Sequence, residues 1–225
     1  MAIEIDFKKY PLARLRHHTN PSLYMTLESH LVTPLFYPEI EETINWGELF
    51  ENPIAPDVLD VGCGRGGLLL NWANLQPERN FLGVEVRHVV VEWINNYAKG
   101  ESITNCFAKY YSAVNGFPFI KDSSISQIVY LFPDPWIKKR HYKRRAFSEQ
   151  LLKEFHRVLK PNGTLSLATD VPEVDKYQMG ILESTPYFSV KEVDDTEWNV
   201  PFKTDQQIFS EKKSIPYIRR IATPI

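Results

Sequence analysis

The chain has 225 residues, 43% hydrophobic and 13% aromatic, enough to bury a sizeable core in one domain with a terminal extension. Its 26 basic and 28 acidic residues give a formal net charge of −2, which by itself points to no partner. Two cysteines, Cys63 and Cys106, supply neither a disulfide framework nor metal-ligand spacing, the start MAIEIDFKKY lacks a signal-peptide apolar stretch, and no apolar run approaches a bilayer span, so a cytoplasmic setting with no membrane and no metal is expected.

Residues 1–56 are irregular and punctuated by Pro11, Pro21, Pro34, Pro38, Pro53 and Pro56. They read as an N-terminal arm, and residues 57–225 as the folded domain. From Val58 a regular rhythm begins. VLDV is a short strand, GCGRGG a glycine loop, and Leu68–Leu75 a helix. Phe81–Val86 is a second strand, Val89–Ala98 a second helix, and Asn105–Tyr110 a third strand. Ile125–Phe132 is rich in β-branched residues and reads as a strong strand. Phe147, Leu151, Leu152, Phe155, Val158 and Leu159 recur at helical spacing. The tripeptide Pro161–Gly163 is expected to end that helix, with Thr164–Asp170 as the next strand. A helix over Pro172–Glu183 and two closing strands, FSVKEV and YIRRIA, complete the chain. Alternating strands and helices predict an α/β, doubly wound, mostly parallel sheet of seven strands. In such sheets ligands bind beyond the carboxyl ends of the strands.

The loop Asp60-Val-Gly-Cys-Gly-Arg-Gly-Gly67 is ambiguous on its glycines alone. Gly62, Gly64 and Gly67 satisfy a dinucleotide fingerprint, and Gly62, Gly64 and Gly66 the pattern associated with S-adenosylmethionine. Glu85, at the second strand end, suits ribose hydroxyls in either case. Asp60 favours the methyl donor, because a carboxylate repels a pyrophosphate and attracts an ammonium. Ser112 and the backbone at Ala113, in the loop after the third strand, are candidate adenine contacts.

The segment LFPDPWIKKRHYKRR, Leu131–Arg145, follows the fourth strand. Pro133 and Pro135 restrict the backbone on both sides of Asp134, and Trp136 offers a face for stacking. Six Lys or Arg residues fall between Lys138 and Arg145, and no acid occurs from Pro135 to Ser148. Lys138, Arg140, Arg144 and Arg145 therefore suit phosphate contacts. Arg14, Arg16, His17 and His18 would extend that patch.

DVGCGRGG, FLGVEVR, LFPDPWIKKRHYKRR and LATD together resemble the tRNA (guanine-N7)-methyltransferases, which methylate guanine 46 in the variable loop; RLRHHTNPS is similar to their N-terminal arm. The resemblance covers most of Arg14–Arg220, and F-P-D-P-W with its basic tail is its specific part. It implies cofactor contacts at Asp60, Gly62, Glu85, Arg87, Ser112, Ala113 and Leu131, a catalytic Asp134, and substrate contacts at Lys138 and Asp170. It also places Thr204 and Gln207 at a substrate motif usually written T-x-x-E, and Ser112 where Asp or Asn is usual. The implied reactants are S-adenosylmethionine, giving S-adenosylhomocysteine, and tRNA, with monomer or homodimer left open. Two other readings remain: a methyltransferase acting on an exocyclic base amine, whose D/N-P-P-aromatic turn is related to F-P-D-P-W, and an NAD-dependent oxidoreductase.

Overall fold

A computed structural model describes residues 3–14 and 19–225; Arg16, His17 and His18 lie outside the described residues. The strands are β1 (Val58–Val61), β2 (Phe81–Glu85), β3 (Cys106–Tyr110), β4 (Ile125–Leu131), β5 (Leu159–Thr169), β6 (Phe188–Glu192) and β7 (Ile218–Pro224). The helices are α1 (Gly67–Leu75), α2 (His88–Gly100), α3 (Glu149–Val158), α4 (Pro172–Ser184) and α5 (Asp205–Lys212). One seven-stranded sheet runs in the order β3-β2-β1-β4-β5-β7-β6, with β7 antiparallel to both neighbours and the first five strands parallel. Strand order reverses between β1 and β4, and that switch point opens a crevice at their carboxyl ends.

Side chains alternate between the faces of each strand and so divide the core in two. Leu59, Val61, Leu82, Val84, Ile128 and Tyr130 enter one cluster with Leu151, Leu152 and Phe155 of α3. Val58, Phe81 and Val129 enter the other, with Leu68, Leu69 and Trp72 of α1 and Val90, Ile94 and Tyr97 of α2. Each fully buried side chain of this size contributes roughly 1.5–3 kcal/mol of transfer free energy. The same alternation sends Asp60 to the face of Val58. The extension joins the core: Phe50 is buried within the first cluster, with Ile40, Ile44, Trp46 and Leu49 against it.

One expectation needs correction, and one helix went unread. Pro161–Gly163 does not separate helix from strand, because α3 ends at Val158 and β5 begins at Leu159. The tripeptide instead lies in a bulge: Leu159 pairs with Ile125, but Thr164 pairs with Gln127, so the extra residues loop outward. A bulge tolerates the proline, which has no N–H for the ladder. The helix α5 was not expected, although its start is written in the sequence. Thr204 is its N-cap and its Oγ1 accepts from Gln207 N at 3.1 Å, which is half of a T-x-x-Q capping box.

Candidate active site

The glycine loop turns where side chains cannot follow. Gly62 and Gly66 have φ of +78° and +74°, and a Cβ on Gly66 would meet Ile94 Cγ1 at 2.6 Å. The turn brings Gly64 N to Glu85 Oε2 at 3.1 Å. Glu85 is 5% exposed and also accepts from Val86 N and Arg87 N, while the Arg87 guanidinium grips both its oxygens at 3.0 and 3.1 Å. Burial pulls the Arg87 guanidinium down, but Glu85's hydrogen bonds and charge more than compensate, leaving it above its ordinary value.

Asp60 has the opposite lot. It is 5% exposed and its carboxylate accepts no hydrogen bond from the described residues. Burial, and then the charge of Glu85 on the same sheet face, push it up to about 7 from 3.8. A buried carboxylate without a donor is costly, and a cationic group would remove that cost. Burial and the charges of Asp60 and Glu85 likewise push the Cys63 thiol well up, so it stays an uncharged packing residue.

Above the strand tips lies a cavity of about 150 Å³ whose wall includes Gly62, Glu85, Arg87, Ser112, Ala113, Leu131 and Asp134. Seven of the residues expected from the sequence therefore meet around one space. Asp60 is not part of that wall, although it shares a sheet face with Glu85. Thr19, Tyr24, Tyr111 and Tyr130 also line the wall and were not expected. Tyr24 carried no signal, being a single tyrosine in a proline-punctuated stretch.

The turn holding Asp134 is strained. Phe132 and Trp136, either side of Pro133-Asp134-Pro135, have φ of +49° and +39°, which costs side-chain-bearing residues on the order of 1–3 kcal/mol each. Tertiary contacts hold them there. Phe132 N donates to Ala168 O of β5 at 2.7 Å, and its ring lies edge-on to Tyr217 with centroids 5.9 Å apart. Asp134 is exposed, and Oδ2 accepts from the Tyr24 hydroxyl at 2.6 Å.

The basic run folds as a 3-10 helix, Lys139–Arg144. Lys138, Lys139 and Arg140 are exposed, and Arg144 lies over the Trp136 ring at 5.0 Å. Desolvation and the cations Arg144, Arg140 and Lys138 hold His141 below its ordinary range. Arg145 departs from the expected phosphate role. Its Nε donates to Pro135 O at 3.2 Å, and Tyr142 and Tyr177 rings lie 4.0 and 4.6 Å from its guanidinium carbon. It braces the turn from behind, because an arginine beside two aromatic faces is better packed than solvated.

Asp170 follows β5, off the cavity wall, and its Oδ2 accepts from Gln206 Nε2 at 2.8 Å and Ser210 Oγ at 2.7 Å. Gln207 is 3% exposed and donates to the Tyr217 hydroxyl at 3.2 Å, so it links α5 to the ring that backs Phe132. Among the described residues, no three His, Cys, Asp or Glu side chains converge as a metal site, and no helix is long and apolar enough to cross a membrane.

A family model described as "Putative methyltransferase" matches residues 54–215. A tRNA (guanine-N(7)-)-methyltransferase of Synechococcus elongatus is 30% identical over 213 residues, covering 92% of this chain and 95% of that protein. The chain belongs to the tRNA (guanine-N7)-methyltransferase family. Another relative of that name, from Vanderwaltozyma polyspora, is 32% identical over 213 residues, covering 87% of this chain and 71% of its own length. One from Trichormus variabilis is 28% identical over 219 residues, covering 94% and 96%. Among solved structures, the 16S rRNA methyltransferase KamB superposes with a TM-score of 0.58 at 16% identity, over 83% of this chain and 96% of that one. A SAM-dependent methyltransferase from Aquifex aeolicus gives 0.50 at 19% identity, over 75% and 81%. These two likenesses establish the class I methyltransferase fold.

The site suits the methyl donor that this family and fold imply. Its acids are two buried carboxylates, one without a hydrogen-bond donor, beside glycine N–H groups and apolar walls from Val84 and Leu131. That set matches a molecule with an ammonium, a ribose and a flat base. A pyrophosphate at the α1 N-terminus would instead face Asp60 and Glu85, which argues against the dinucleotide reading.

Proposed function

We propose that this protein transfers the methyl group of S-adenosylmethionine to N7 of guanine 46 in the variable loop of tRNA, leaving S-adenosylhomocysteine. The observation that carries this reading is the shared cavity: Asp134 opens onto the same space as Gly62, Glu85, Ser112 and Ala113. When bound, the donor supplies an electrophilic methyl carbon on a sulfonium.

Guanine N7 has a lone pair and no proton, so the protein needs no general base there. Its task is alignment and charge. Asp60 holds the donor's ammonium and Glu85 its ribose hydroxyls, with Arg87 moving off Glu85 as they arrive. Ser112, Ala113 and Leu131 seat the adenine. Asp134 accepts hydrogen bonds from the guanine N–H edge and offsets the positive charge that grows on the purine. Asp170, with Oδ2 already committed to α5, has Oδ1 left to accept from the base side. Lys138, Arg140 and Arg144 take phosphates, and the N-terminal arm of residues 1–56 lies alongside the RNA. Thr204 and Gln207 act through the placement of α5. All of this fits a cytoplasmic enzyme.

The exocyclic-amine reading is weaker because F-P-D-P-W lacks the two consecutive prolines of the D/N-P-P-aromatic turn. Incubation with unmodified tRNA and labelled donor, followed by nucleoside analysis, should yield 7-methylguanosine. A methylated exocyclic amine, or no methylated guanosine, would overturn the proposal.

A further inference from the structure

Before a guanine can use Asp134, something else must let go of it. The 3-10 turn Pro21–Tyr24 reaches the cavity wall through Tyr24 and is capped by Asn20, which accepts from Ser22 N at 3.1 Å and Ser22 Oγ at 2.7 Å. From this turn Tyr24 donates its hydroxyl to Asp134 Oδ2 at 2.6 Å, and its ring meets the Trp136 ring edge-on with centroids 5.3 Å apart. Leu23 O accepts from the buried Ser112 hydroxyl, on the adenine side of the same cavity. A planar ring beside Trp136, with an O–H pointing at Asp134, presents what a guanine N–H edge would present.

We propose that Pro21–Tyr24 is a latch: the Tyr24 phenol occupies the guanine's place on Asp134 and leaves when the RNA base enters. The inference rests on Asp134 being the guanine-binding group. The turn is anchored on its C-terminal side. Beyond Tyr24, Met25 O accepts from the Tyr37 hydroxyl at 2.6 Å and Leu27 N donates to Asn115 Oδ1 at 2.8 Å, so the chain stays anchored there. Among the described residues, the Tyr24–Asp134 and Ser112–Leu23 bonds and the 3.1 Å contact of His30 Nε2 with Ser22 O must break for the turn to swing. Thr19, Pro21, Trp136, Lys138, His141 and Arg144 line one groove, which places the turn against the basic helix. RNA phosphates arriving on Lys138 and Arg144 would thus push on the turn that blocks Asp134. Burial and the Asp134 charge raise the Tyr24 phenol above its ordinary value, so it stays a protonated donor at neutral pH.

The test is Tyr24→Phe in the full chain, which keeps the ring against Trp136 and removes only the bond to Asp134. With saturating donor, KM for tRNA should fall about fivefold with kcat not lowered, from the loss of one competing charge-assisted hydrogen bond. Equilibrium tRNA affinity in the presence of S-adenosylhomocysteine should tighten by a similar factor. That gain should vanish when Tyr24→Phe is added to Asp134→Ala. A kcat loss at constant KM would mean that Tyr24 assists the chemistry, and a raised KM or weaker tRNA binding would mean that it grips the RNA; either sinks the latch. Failure of the parent reading looks different: the wild-type protein would then make no 7-methylguanosine.

Discussion

Asp60 and Asp134 are both aspartates near the carboxyl ends of neighbouring parallel strands, β1 and β4, yet their surroundings are opposite. Asp60 is buried in the floor, close to Glu85, with no donor among the described residues. Asp134 stands exposed on the rim, inside a strained turn, with a tyrosine from a segment 110 residues away donating to it. The floor is organised by its own short loop and waits for a cation. The rim is organised by distant elements: Ala168 on β5 and Tyr217 before β7 hold Phe132, while Arg145 holds Pro135. One acid is tuned by burial, the other by placement.

The largest expected effect tests the rim. Asp134→Ala should lower single-turnover methylation about 10³-fold, while calorimetric affinity for S-adenosylhomocysteine stays within a factor of three. Retained methylation would remove Asp134 from the chemistry, and lost cofactor binding would mean that floor and rim are not separable.

Asp60→Asn should weaken S-adenosylhomocysteine binding by about 10- to 100-fold and leave the rim intact. The pH dependence sharpens this. Well below pH 3.8 Asp60 is protonated in both folded and unfolded chains, and costs the fold nothing there. As pH rises from 3.8 toward 7 the unfolded chain ionises first, so the cofactor-free fold loses stability across that window. A bound ammonium favours the ionised form. Wild-type affinity should therefore drop about tenfold per pH unit below 7, and Asp60→Asn should flatten both the affinity and the melting-temperature profiles. Equal slopes in the two proteins would show that Asp60 does not meet the ammonium.

Lys138→Ala is the milder rim change. It should raise KM for tRNA about fivefold and reduce the slope of log affinity against log salt by about 1, with cofactor affinity untouched. The smallest effect separates scaffold from contact: Thr204→Ala should cost about 1 kcal/mol in urea unfolding through loss of the α5 cap and leave KM within twofold. A large KM change at constant stability would return Thr204 to the RNA surface.

The floor was legible because its signals are local. Glycines at Gly62, Gly64 and Gly66 specify left-handed turns, and Asp60 and Glu85 sit at fixed offsets from strands whose apolar pattern marks them. Pairing of adjacent strand tips then follows from the parallel topology. The rim was legible only as composition. Six basic residues between Lys138 and Arg145 announce a phosphate surface, but nothing in the run distinguishes Arg145, which folds inward, from Arg144, which stacks on Trp136. TDQQ reads equally well as a substrate motif or a helix cap, and the local hydrogen bond is the cap.

What the residue order alone determined is the doubly wound sheet, the glycine-lined floor and the acid between two prolines, since each depends on interactions within a few residues or on alternation along a strand. Tertiary structure decided which side chains reach that acid. Tyr24 meets Asp134 because residues 19–37 fold back across the strand tips, anchored on Ser112 and Asn115 by bonds between positions some ninety apart. Such contacts depend on packing between elements, which no short stretch of sequence encodes.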